Sequence, residues 1–209
     1  MLNATAGVAT RRLIWVPIIH TRADLGSLSG FLRQLYVRRA GQAQWKRHVE
    51  SVEDMWRTLR RAVEALDLPS AGLRLYQDGL PACGHEGEIV RDLAQAGSPN
   101  HQLLLDLMAN GAILTGTESP ELLLEEYELV QQVLLSLGSE GKGRWSDRQR
   151  QLGTALLEKR DRYIAERIDT TLGTGETGLL FLGMLHSLTG LLPADIQVAR
   201  LRPARRRLD

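Results

Sequence analysis

His20, Asp78, Glu118 and His186 each follow a short apolar run, and together they supply two imidazoles and two carboxylates. Such a set can move protons. An imidazole changes charge near neutral pH, and a carboxylate beside it fixes one tautomer and supports the protonated form. Histidine has no particular preference for turns or helix caps, which favours a chemical role for His20 and His186. The acids have ordinary uses as well. Asp78 opens an Asp-Gly turn, where its side chain can accept a local backbone bond, and Glu118 precedes Ser119-Pro120, where negative charge suits a helix N-terminus.

A fifth residue stands out by position. Leu152, Leu156, Ile164, Ile168 and Leu172 recur every four residues, and Arg160 completes the row. An arginine on an apolar stripe must find an anionic partner or reach solvent, because an unpaired guanidinium is costly to bury. Asp78 or Glu118 is the expected partner, and a bound anion is the alternative.

The elements that would position these groups follow from hydrophobic patterning. Leu13–Ile19, Leu73–Gln77, Ala112–Gly116, Gly178–Leu185 and Asp195–Leu201 read as short buried strands. Helical periodicity fills most of the remainder. It covers Ser27 to about Leu66, with Leu28, Phe31, Leu32 and Leu35 on one face and then Val49 through Leu66 on a longer helix. It resumes over 86–96, 99–109, 120–137 and 146–172. Gly97, Gly111, Gly138 and Gly173 are expected to end helices, Ser119 with Pro120 to open one, and Ser146 with Gln149 to form a capping box. Strands separated by helices predict an α/β domain over residues 1–201, with a mostly parallel sheet flanked by helices as a three-layer sandwich, and a basic tail at 202–209. In such sheets ligands bind at the carboxyl edge, where His20, Asp78, Glu118 and His186 are all expected to emerge.

Composition sets bounds. The 209 residues carry a formal net charge of +1 and are 43% hydrophobic, which suits one globular domain and gives no global pull toward nucleic acid or membrane. Cys83 is the only cysteine, so neither an intramolecular disulfide nor a cysteine metal cluster is available. With no apolar leader and no run near the roughly 20 residues of a membrane helix, a cytoplasmic protein is expected. Other patterns are weaker. Gly138, Gly141, Lys142 and Gly143 lack the preceding strand and the Ser/Thr of a phosphate loop, and no glycine fingerprint follows the first strand. His48 with Glu50 and Glu53 fit a solvated helix face, whereas His85 with Glu86 and Glu88, beside Cys83, fit a helix N-terminus rich in acids, the alternative being a contribution to a site beneath the second strand. The tail Arg205, Arg206 and Arg207 has no interleaved aromatics to read nucleic acid.

Arg160-Asp161-Arg162-Tyr163-Ile164-Ala165, followed by Gly183-Met184-Leu185-His186, resembles the C-terminal half of the TraB and Tiki family, related to erythromycin-esterase-like and ChaN-like proteins. Those proteins begin a helix with Arg-Asn or Arg-Asp and end a later strand with Gly-x-x-His. Their N-terminal strand also ends Gly-x-x-His. Pro17-Ile18-Ile19-His20 matches that in spacing and histidine but not in glycine. The family's acid after the second strand is usually glutamate; Asp78 stands there, with Glu118 as the alternative.

The resemblance implies a hydrolase of peptide or ester bonds, with His20, His186, Glu118, Asp78 and Arg160 as its catalytic set and a small molecule or peptide as substrate. It further implies, in metal-dependent members, a divalent metal ion on His20, His186 and Glu118. Those histidines must then lie within about 10 Å of each other. Without metal, a histidine held by a carboxylate would serve as general base. The competing expectation is a non-catalytic α/β sensing or protein-interaction module, and the leucine-rich helices leave homodimerisation open.

Overall fold

The computed structural model describes residues 10–21, 23–24, 29–69, 71–140 and 146–202, with side chains 135–140 excepted. Ser27, Leu28, Gly141, Lys142, Gly143 and Arg205–Arg207, named above, lie outside these residues. In chain order the elements are β1 (Arg11–Ile18), α1 (Ser29–Ala40), α2 (Gln42–Glu64), β2 (Leu73–Gln77), α3 (Glu86–Gln95), α4 (Pro99–Ala109), β3 (Ile113–Thr115), α5 (Pro120–Glu140), α6 (Asp147–Thr171), β4 (Thr177–Gly183) and β5 (Ile196–Arg200). The strands form one sheet, ordered β3-β2-β4-β1-β5, in which every pairing is parallel.

Parallel strands need crossovers, and these cover both faces of the sheet, so its central strands are apolar on both sides. β4 is the clearest case. Six of its seven residues are buried, and its side chains divide between the two cores. Leu179 and Phe181 meet Ile14, Val16 and Leu75 under α2, α3 and α4, whereas Leu180 and Leu182 meet Leu13 and Tyr76 under α6. The expected three-layer α/β sandwich is therefore the observed fold.

The chain leaves β2 toward the β3 edge beneath one helical layer, and leaves β4 toward the β5 edge across the other. Where neighbouring strands send their connections in opposite directions, a crevice opens at the carboxyl edge. Asp78 and the turn carrying His186 flank that crevice.

Several expected boundaries move. β4 ends at Gly183 rather than Leu185, because the chain turns there and the His186 amide bonds back to the Gly183 carbonyl at 3.2 Å. Met184 and Leu185 consequently stand in solvent, 60% and 85% exposed. α5 runs through Gly138 to Glu140, since one glycine inside a helix costs only about 1 kcal/mol. Leu152 is half exposed despite its place in the apolar row, because that part of α6 lies outside the buried portion that begins at Leu156.

Candidate functional site

The site grows from Asp78. β2 delivers it to the carboxyl edge, and the turn that follows places Gly79 at φ 77°, a left-handed conformation suited to glycine. The Gly79 amide donates to Glu118 Oε1 at 3.2 Å. The turn is also stitched to the chain leaving β3: the Thr117 and Glu118 amides both donate to the Leu80 carbonyl, and the Ala82 amide to the Glu118 carbonyl. Two segments 40 residues apart in sequence thus bring Asp78 and Glu118 together.

Arg160 closes them from the opposite layer. Its Nε donates to Glu118 Oε2 at 2.9 Å, and its Nη2 donates to Glu118 Oε1 at 2.5 Å and to Asp78 Oδ1 at 2.9 Å. The remaining terminal nitrogen, Nη1, reaches Glu126 Oε1 at 2.6 Å. The paired fork of a guanidinium matches this geometry, which the point charge of a lysine would not.

The histidines lie on the other side of Asp78. His20 Nε2 is 3.3 Å from Asp78 Oδ2, and His186 Nε2 is 3.6 Å from Asp78 Oδ1, an ion-pair rather than a hydrogen-bond separation. Contact with opposite oxygens of one carboxylate keeps the two rings within the roughly 10 Å that sharing an ion would require. His186 Nδ1 meets Asp161 Oδ1 at 2.6 Å, and the Ser187 amide donates to Asp161 Oδ2 at 3.0 Å. The five residues singled out in the sequence therefore meet in one cluster. Asp161 and Glu126 join it without having been selected, although the position of Asp161 was legible: it lies beside Arg160, one turn before Ala165, on the buried side of α6.

Two supports hold the mouth. Trp56 Nε1 donates to the Ile19 carbonyl at 3.0 Å, fixing the chain just before His20. Beyond it, Asp24 accepts from the Thr21 amide and hydroxyl at 2.6 and 2.9 Å and from Ser98 Oγ at 2.5 Å. Ser98 and His101 complete this buried group, but Ser98 Oγ and Asp24 both approach the same His101 nitrogen, at 2.7 and 3.2 Å. A nucleophile–base–acid relay needs the two ring nitrogens separately engaged, so this group anchors the loop after His20.

Accessibility separates the roles. The side chains of Asp78, Glu118, Arg160 and His186 are 4%, 0%, 5% and 5% exposed, against 37% for His20. Two buried acids, Asp78 and Glu118, face one buried arginine, and Asp161 lies against His186, leaving the imidazoles to balance the charge. Burial pushes the His20 and His186 pKa values down, but Asp78, with Asp161 helping at His186, outweighs it, and both end above 6.5. Burial likewise opposes ionisation of Asp78, yet the two histidines hold its carboxyl well below the usual range. At Glu118 burial and the neighbouring Asp78 charge prevail over Arg160, and the pKa is raised.

No family model, curated protein or solved structure matches the chain.

Asp78, Glu118 and His186 each offer a ligand atom, all within 4.8 Å of one another, so this buried group could hold a metal ion. Asp78 takes the place that the metal set above gave to His20, which falls outside this group. The resident cation there is Arg160, already bonded to both acids. A divalent ion would have to displace or share those contacts.

Proposed function

We propose that the cluster is the acid–base centre of a hydrolase acting on an ester or peptide bond, with His20 as the general base. The observation that carries this is the alternating chain Asp161, His186, Asp78, His20, buried throughout except at its His20 end. With Nε2–H of His20 directed at Asp78, the other ring nitrogen is free to accept a proton, and it has no partner among the described residues. His20 would take the proton of a water attacking the carbonyl carbon and return it to the leaving oxygen or nitrogen. Asp78 holds the ring in orientation and stabilises the imidazolium, as a carboxylate does behind a catalytic histidine. Arg160, Glu118 and His186 keep Asp78 ionised and in place. The motif resemblance to the TraB and Tiki family supports the same reaction class.

The three clustered ligand atoms favour a second reading. In it, Asp78, Glu118 and His186 would hold a divalent ion, which when bound lowers the pKa of a coordinated water. Chelation separates the two. Purified protein would be assayed against p-nitrophenyl acyl esters and fluorogenic peptides, as isolated, after chelation, and after adding zinc or manganese. Turnover that survives chelation supports His20 as base, and turnover restored only by metal supports the second reading. Absence of turnover on every substrate would count against hydrolysis and favour a non-catalytic sensing module.

A further inference from the structure

A cavity of about 310 Å³ lies away from the carboxylate cluster, between the sheet and the connection from β4 to β5. That connection contains no helix, and residues 188–194 arch over the face that a crossover helix would otherwise fill. The floor is Leu13, Trp15, Leu180 and Ile196, and the arch contributes Leu188 and Leu192. Leu13, Leu180, Leu188 and Ile196 are buried, whereas Val198 at the rim is 51% exposed, so the cavity opens along the β5 edge.

Charge is distributed unevenly around it. Next to the amino end of β5, Arg11 is fully engaged by Asp195 and Asp169. Toward the carboxyl end, Arg200 shares a strand face with Ile196 and Val198, and its guanidinium lies 5.2 Å from the centre of the Trp15 ring. Stacking on an aromatic face orders the guanidinium but leaves its in-plane donors available. Among the described residues Arg200 has no acidic partner.

We propose that this cavity binds a monocarboxylate with an apolar chain, the chain lying between Trp15 and Leu188 and the carboxylate meeting Arg200. At about the 30 Å³ that a water-sized group takes in a liquid, the space holds on the order of ten heavy atoms, the size of octanoate. It lies at the small end of ligand sites; its lining side chains are apolar apart from Thr189, and Arg200 stands beside it, stacked on the lining residue Trp15. A carboxylate completes the hydrogen bonds of the guanidinium, which an alcohol of equal chain length does only in part. The site stands independently of any hydrolysis at His20.

Calorimetric titration of the whole protein with octanoate, octanol and butyrate tests the assignment. Octanoate is expected to bind about two- to fivefold more tightly than octanol, the range of a partly exposed ion pair, and butyrate to give no measurable heat. Arg200→Ala should bring octanoate to the octanol affinity. Val198→Trp, which plugs the rim, should abolish both, and Thr189→Phe on the arch provides a second plug should the first fail to fold. Equal wild-type affinity for octanoate and octanol would overturn the proposal, as would no octanoate binding or octanoate binding undiminished in a folded plugged variant. Retention of octanoate binding in His20→Ala is expected, so a failure here is distinct from a failure of the hydrolase reading.

Discussion

The Asp161 carboxylate accepts a 2.6 Å hydrogen bond from His186 Nδ1 while its other oxygen takes the Ser187 amide at 3.0 Å. One helical side chain thereby sets both the tautomer of the buried imidazole and the path of the chain beyond it. With Nδ1 committed, Nε2 is the nitrogen presented to Asp78. The orientation of the whole proton-bearing chain therefore originates on α6, in the residue beside Arg160.

Asp161→Asn should lower the His186 pKa and destabilise the fold by about 1–3 kcal/mol, the cost of weakening a buried charge-assisted hydrogen bond. Nitrogen-detected NMR titration of the imidazoles, beside urea unfolding, reads both effects. A His186 titration unchanged by the substitution would show that Asp161 does not govern it.

Arg160→Ala would leave Asp78 and Glu118 facing one another in a dry pocket without their common cation. The expected loss is about 3–5 kcal/mol, since removing one partner strands buried charge. Adding Glu118→Gln should recover part of it by deleting one of the stranded charges. Chemical denaturation of both variants measures this, and a single-variant loss below about 1 kcal/mol would mean that water already reaches the acids.

Gly183 is required by close approach rather than by backbone conformation. A Cβ there would lie 2.8 Å from Asp78 Oδ2, the oxygen that faces His20 and accepts the Gly183 amide at 2.9 Å. Gly183→Ala should displace the carboxylate, cost about 1–3 kcal/mol as overpacking does, and bring the His20 pKa back toward 6.5. Retention of the raised His20 value in this variant would argue against the Asp78 contact as its cause.

Much of this was legible in the sequence, for identifiable reasons. Strands covered on both faces leave unbroken apolar runs, so β2 could be bounded at Leu73–Gln77 and the residues just past the strand ends could be named. The apolar row on α6 exposed Arg160 as an internal cation and pointed to Asp78 and Glu118. Strand order was not legible, because periodicity says nothing about the direction of a crossover. Met184 and Leu185 extended the apolar run beyond the true end of β4, since hydrophobicity does not mark where a strand ends and the chain turns. Glu126 gave no signal, as an acid on an amphipathic helix is ordinarily solvated.

Stability should vary with pH in a defined sense. The two histidines have raised pKa values, so their contribution is complete below about 6.5 and is lost as pH rises through the folded values. Glu118, also raised, adds to the decline above 4.5. Asp78 is depressed, so its contribution is present above 3.8 and is lost as pH falls through its folded value. Unfolding free energy should therefore be higher at pH 6 than at pH 9, and Asp78→Asn should reduce that difference. Equal stability at the two values would contradict the charge arrangement.

The most direct test is the rate of ester or peptide hydrolysis by His20→Ala at pH 8, on the best substrate found for the wild type and with the variant shown to be folded. Removing a general base is expected to lower kcat/KM by about 10²–10⁴-fold, with the wild-type rate falling at low pH along a limb centred above 6.5. A His20→Ala rate within twofold of wild type would contradict the account, because the open end of the buried chain would then have no part in the chemistry.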